Sequence, residues 1–137
     1  MGLILDSSVL IAAERQGQTV YAMLSDIGRS QNDIEVGISV ITVTELAHGA
    51  ARAESPQRRE KRLRFIQDLA SAVPIYPVTG SIAFRAGLVD GRSQAKGVRL
   101  PLSDLLIGVT ALELGFGVGT SNLRHFRLVP GLSIVQL

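Results

Sequence analysis

Apolar residues fall along the chain in short bursts, separated by longer stretches in which they recur at helical spacing. Leu3-Ile4-Leu5 is a run that stops at Asp6-Ser7-Ser8 and predicts a buried strand. Residues 9–13 predict a short helix closed near Gly17, and Val20, Met23, Leu24 and Ile27 mark a second helix from Thr19 to about Arg29. After an Asn32-Asp33 turn, residues 36–40 predict a second strand, and Thr42 is placed to cap a helix carrying Glu45, Leu46, Ala47 and Ala50. Ser55-Pro56, a capping serine before a proline at the first helical position, restarts a helix along which Leu63, Ile66, Ala70 and Val73 keep period. Residues 75–78 predict a short strand at a sheet edge, where Pro77 is tolerated. Thr79 opens a helix running toward Gly97, and residues 105–114, apolar on nearly all sides, predict a buried helix stopped by Gly115. Residues 116–121 predict a fourth strand, 122–126 a helical turn and 133–135 a last strand.

Strands alternating with helices imply an α/β fold: a three-layer α/β/α sandwich around a central, mainly parallel sheet of about five strands. A length of 137 residues suits one domain spanning residues 1–137, and 46% hydrophobic content suffices for a packed core. Longest apolar runs fall well short of the roughly 18 residues that span a bilayer, and no basic-then-apolar signal segment opens the chain. A cytoplasmic protein with no membrane partner is expected.

Composition narrows the chemistry. Cysteine is absent, so disulfides, iron–sulfur clusters, thiolate zinc and cysteine nucleophiles drop out. His48 and His125 are the only histidines, too few for a multi-histidine zinc site. The net charge is +2, and all cationic residues but Lys61 and Lys96 are arginine, whose planar fork suits phosphate or carboxylate.

In parallel α/β sheets, ligands sit outside the carboxyl ends of the strands, and four polar residues are predicted at that rim. Asp6 ends the first strand, Glu45 lies in the helix after the second, Asp104 opens the buried helix, and Asn122 follows the fourth strand. Three carboxylates and an amide brought to one rim repel unless a cation sits among them. All-oxygen donors favour Mg²⁺ or Mn²⁺, and such an ion acidifies water and stabilises charge on a phosphorus under attack. Each residue also has an ordinary structural role open to it. Glu45 completes a capping box with Thr42, Asp104 suits the positive end of a helix dipole, and Asp6 and Asn122 suit turns or caps.

These segments resemble the acidic motifs of PIN-domain nucleases: Leu3 to Ser8, Ile41 to Ala50 (ITVTELAHGA) and Leu102 to Ile107 (LSDLLI). Residues 120–126 (TSNLRHF), followed by Val129-Pro130-Gly131-Leu132, are similar to the closing motif of the VapC toxins within that family. The resemblance covers the chain in order and implies a Mg²⁺- or Mn²⁺-dependent endoribonuclease, the toxin half of a toxin–antitoxin pair. It implies Asp6 and Asp104 as central metal ligands, Glu45 joining them directly or through water, and Asn122 completing the catalytic set. Ser7, Ser8 and Ser121 would support them. Many PIN domains carry aspartate at the place of Asn122, and the neutral amide here implies one metal held with three carboxylates, or a second recruited only with RNA. Implied partners are an RNA substrate, a VapB-type antitoxin whose C-terminal segment lies over the acidic rim, and a second copy of the chain.

Outside the rim, Arg92, Lys96 and Arg99 precede Asp104 and are candidates for holding substrate, as are Arg124 and His125 beside Asn122. His125, one helical turn past Asn122, is placed either to shuttle a proton or to stabilise a turn; His48 suits a helix surface. The cationic stretch 58–64 suits either a solvated face or a phosphate-contacting one. Leu10, Ile11, Val20, Met23, Leu24 and Ile27 suit core packing or a partner surface. Two other functions fit the same residues: a nuclease of this fold acting on DNA, and a non-catalytic nucleic-acid-binding module whose acids only cap helices.

Overall fold

A computed structural model describes residues 1–137. The apolar bursts become strands β1 (Gly2–Leu5), β2 (Glu35–Ser39), β3 (Ile75–Tyr76), β4 (Gly117–Thr120) and β5 (Ile134–Gln136). Helices α1 (Ser7–Arg15) and α2 (Val20–Ser30) join β1 to β2; α3 (Val40–Ala51) and α4 (Pro56–Ala72) join β2 to β3. Helices α5 (Gly80–Ala95) and α6 (Leu102–Leu114) lead to β4, and the single-turn α7 (Leu123–Phe126) precedes β5.

The strands form one sheet in the order β3-β2-β1-β4-β5, and every pairing is parallel. Parallel neighbours need crossover connections, which pack right-handed onto a twisted sheet. Moving from β1 to β2 to β3 therefore lays α1–α4 on one face, where Leu5 and Ile38 pack with Leu10, Met23, Leu46 and Leu69. The return across β1 to β4 puts α6 on the other face, where Ile4 and Val118 meet Ile107, Ala111 and Phe126. Ile4 and Leu5 are adjacent, and they serve opposite cores because side chains alternate along a strand. No helix of the chain is long and apolar enough to cross a membrane.

One local expectation shifts. On α4 the buried positions are Phe65 and Leu69, whereas Leu63 is 44% exposed and Ala70 faces solvent. Two overlapping stripes share Ile66 and Val73, and the one that buries the larger Phe65 wins on area removed from water. Of the two uses open to the apolar residues of α1 and α2, core packing is the one found: Leu10, Val20, Met23 and Ile27 are buried, with Ile11 and Leu24 packed alongside.

Helix α6 is buried on most of its circumference, from Leu105 through Ala111. Its end is fixed by Gly115 at φ 69°, with Phe116 N–H donating to Ala111 O at 2.8 Å and Gly115 N–H to Leu112 O at 3.1 Å. That is the hydrogen-bond pair of a Schellman cap, in which glycine avoids the left-handed penalty of a Cβ. A Gly115→Ala substitution is expected to cost about 1–2 kcal/mol, seen as a lower urea midpoint with an unchanged m-value.

Candidate metal centre and active site

The sheet order creates a crevice. Beyond their carboxyl ends, β1 leads to α1 on one face and β4 to α7 on the other, and ligands in open α/β sheets bind at such a divergence. Asp6 is the first residue past β1. Its N–H donates to Gly119 O at 2.9 Å, tying it to the end of β4. It occupies the N-cap position of α1, yet its side chain makes no capping bond. Instead Oδ2 accepts from Ser8 Oγ at 2.8 Å and from Thr120 Oγ1 at 3.0 Å, and the residue is only 6% exposed. Two hydroxyl donors on one oxygen fix the rotamer and leave Oδ1 uncommitted.

Glu45 reaches the rim by a different local structure from the one expected. Ser39, not Thr42, caps α3: its Oγ accepts from Ile41 N–H at 3.1 Å. The strand passes directly into the helix, so Glu45 lies in the second turn and has no capping box to complete. Thr42 is fully buried, and its Oγ1 makes no hydrogen bond; nor does the buried Oε1 of Glu45, one turn further along the same face. Burial pushes the Glu45 carboxyl above its ordinary value, and repulsion from Asp6 and Asp104 adds to the rise; the Ser7 hydroxyl offsets part of it.

Asp104 stands in the first turn of α6, which has no side-chain cap. Its carboxyl is also raised, first by burial and then by Asp6, while His125 opposes the shift. The two are in direct contact: His125 Nδ1 lies 2.7 Å from Asp104 Oδ2. With Asp104 ionised, Nδ1 carries the proton, because a carboxylate only accepts; Nε2 then remains free to accept or, when protonated, to donate. His125 thus reaches the rim through its contact with Asp104.

The remaining candidates divide into two groups. Ser7 is buried at the start of α1 beside Glu45, and Ser8 Oγ accepts from Ser121 N–H at 3.2 Å while serving Asp6. Asn122 is held in place by Thr120 Oγ1, which accepts its N–H at 2.9 Å, and its Oδ1 caps α7 by accepting from Arg124 N–H at 3.3 Å. Arg92 is on α5, Lys96 caps its end, Arg99 lies in the connection to α6, Arg124 is exposed on α7, and His48 is exposed on α3. Thr120 escaped the sequence reading. The signal for it is a lone hydroxyl residue ending the apolar strand β4, which pairs in register with β1 just before Asp6.

Chemically, the rim offers hard oxygens, one of them a buried orphan, with the Glu45 and Asp104 carboxyls raised by burial and by the charge of Asp6. Those are properties that a small divalent cation relieves. The donors fit such an ion, although no three Asp, Glu or His side chains are drawn together into a ready-made metal cluster.

Comparison with known proteins adds an independent line. The family model described as PIN domain matches residues 3–132. Ribonuclease VapC1 of Rickettsia felis is 30% identical over 137 residues, covering 100% of this chain and 97% of the relative. Ribonuclease VapC10 of Mycobacterium tuberculosis is 33% identical over 130 residues, covering 95% and 90%. Among solved structures, VapBC2 from Rickettsia felis bound to a promoter DNA fragment superposes with a TM-score of 0.81 at 20% identity, covering 100% of this chain and 99% of that one.

Proposed function

This chain belongs to the PIN domain family, and from that premise we propose that it is a metal-dependent endoribonuclease, one PIN domain acting as the toxin of a VapBC-type pair. The observation that carries the reading is the rim itself: Asp6 and Asp104 raise the proton affinity of Glu45, and Asp6 that of Asp104, around a buried, unpartnered Glu45 oxygen. The names of the relatives, ribonucleases in both cases, support RNA as substrate. Asp6, Asp104 and Glu45 would hold the metal. Mg²⁺ or Mn²⁺ bound there supplies Lewis-acid stabilisation of phosphate charge and makes water more acidic.

The protein's own groups then have separate tasks. Ser8 and Thr120 hold the Asp6 carboxylate in one orientation, so that the ordering of this side chain is already complete in the folded protein. The His125 Nδ1–H fixes Asp104 Oδ2, which leaves its Nε2 edge for a proton or a phosphate oxygen of the substrate. Asn122 keeps the turn that carries His125 in register with β4, through Thr120 on one side and Arg124 N–H on the other.

Partners follow from the surface. An open groove beside Glu45, between α1, α3 and α4, has apolar walls of Leu10, Ile11, Leu46, Phe65 and Ile66, with Glu14, Arg15 and Arg62 also in its lining. Its apolar walls next to an acidic rim suit an antitoxin segment that is both apolar and basic. Large apolar side chains left in water, such as Phe84 at 71% and Leu102 at 63% exposed, supply contact area for a homodimer.

The test is cleavage of total cellular RNA by the purified protein in Mg²⁺, Mn²⁺ or EDTA, alongside thermal melts in the same buffers. Cleavage that needs the metal, with a Tm that rises on adding Mn²⁺, is the expected result. Equal cleavage in EDTA overturns the reading.

A further inference from the structure

The flank of α5 carries a second feature. A groove enclosing about 720 Å³ runs along it, lined by Arg85, Leu88, Arg92 and Lys96 from α5, Leu112 from α6 and Pro130 from the α7–β5 connection. Three cations share one helix face here, at spacings of seven and four residues, which a 3.6-residue period brings into line. Arg85 is partly neutralised by Glu113 at 3.2 Å. Arg92 and Lys96 are exposed and form neither an ion pair nor a side-chain hydrogen bond. Asp90, the nearest acid on the same helix, lies about 160° around α5 from Arg92 and is engaged by Gln94.

Like charges four residues apart repel, so in isolation this arrangement costs the free protein stability that a polyanion restores. On α4, Arg58, Arg62 and Arg64 face Glu54, Glu14 and Glu60 respectively, while Arg59 and Lys61 form no ion pair; the groove along α5 differs in having no acid in its lining. Direction matters as well. Arg85, near the start of α5, meets Glu113 at the end of α6, so the two helices run antiparallel and Lys96 lies at the end where Asp104 begins α6. The groove thus leads toward the acidic rim through the short connection bearing Arg99.

We propose that this flank of α5 is a backbone track for single-stranded RNA, taking phosphates several nucleotides away from the scissile bond. It rests on the ribonuclease reading and adds a place where length of substrate is felt. The contacts are to phosphate, so the track contributes affinity and salt dependence with no choice of base.

The experiment uses fluorescein-labelled mixed-sequence oligoribonucleotides of 4 and 20 nucleotides, bound by the intact protein in EDTA and followed by anisotropy across a salt series. The expected outcome for R92E/K96E is a loss of roughly tenfold or more in affinity for the longer strand, with the log–log salt slope shallower by about 1.4, the value for two phosphate contacts on a single strand. The preference of wild type for the longer strand should shrink with it. R58E/R64E changes the net charge equally and should leave most of the affinity. Unchanged binding by R92E/K96E overturns the track, as does an equal loss in R58E/R64E or no binding of the longer strand by wild type. Cleavage by wild type in Mn²⁺ is scored separately: if RNA is bound through Arg92 and Lys96 but never cut, the ribonuclease reading fails and the track stands.

Discussion

Asp6→Asn is expected to lower RNA cleavage by at least about 10³-fold, since removing even an outer partner of a metal ligand costs about 10–100-fold and a direct ligand should cost more. The substitution preserves shape. Asparagine can still accept from Ser8 Oγ and Thr120 Oγ1 through its carbonyl oxygen, so the circular dichroism spectrum and the melting of the metal-free protein should stay close to wild type. What disappears is charge at a buried position, 6% exposed, between the ends of β1 and β4. The Mn²⁺-induced rise in Tm should vanish with the activity. Retention of both activity and metal response within a factor of ten would return Asp6 to the role of a turn residue.

Glu45→Gln should separate function from stability in the opposite sense. Cleavage is expected to fall by about 10²–10³-fold, comparable with losing one group that stabilises developing charge, yet the metal-free protein should melt a few degrees higher. The sign follows from the raised carboxyl. Its folded value lies above the ordinary 4.5 because burial and the charges of Asp6 and Asp104 oppose ionisation. Ionised Glu45 therefore destabilises the folded chain at neutral pH, and this penalty fades as pH falls from the folded value toward the ordinary one. Wild type without metal should gain stability from this group on mild acidification, and the glutamine variant should lack that component of the pH dependence. A metal-free Tm for the variant equal to or below that of wild type at pH 7.5 counts against the electrostatic account of the rim.

Much of this site was visible in the sequence because its parts sit where local rules are strong. Leu3-Ile4-Leu5 stopping at Asp6, and Asp104 opening the longest apolar helix, are events within a few residues, and the parallel-sheet rule places both at one rim. Expectations faltered wherever the outcome depended on packing between distant segments. The start of α3 is set by how β2 ends, so Ser39 took the cap assigned to Thr42. The contact between Asp104 and His125 spans 21 residues and exists only because α7 packs on α6, and no periodicity in either segment announces it. Thr120 is further still from Asp6, and its role needed the β1–β4 register. On α4, two stripes of similar hydrophobicity left the rotation of the helix to be decided by Phe65.

The bond from Thr120 to Asp6 joins residues 114 positions apart. A ribosome working at roughly 5–20 residues per second releases Glu45 some 4–15 s before Thr120. Until β4 has been made and inserted beside β1, Asp6 lacks its second hydroxyl donor, and until α7 follows, Asp104 lacks His125, so the rim is assembled only late in synthesis. A truncation ending between residues 105 and 116 should yield a chain with all three acids but without Thr120 and His125, and hence no assembled centre.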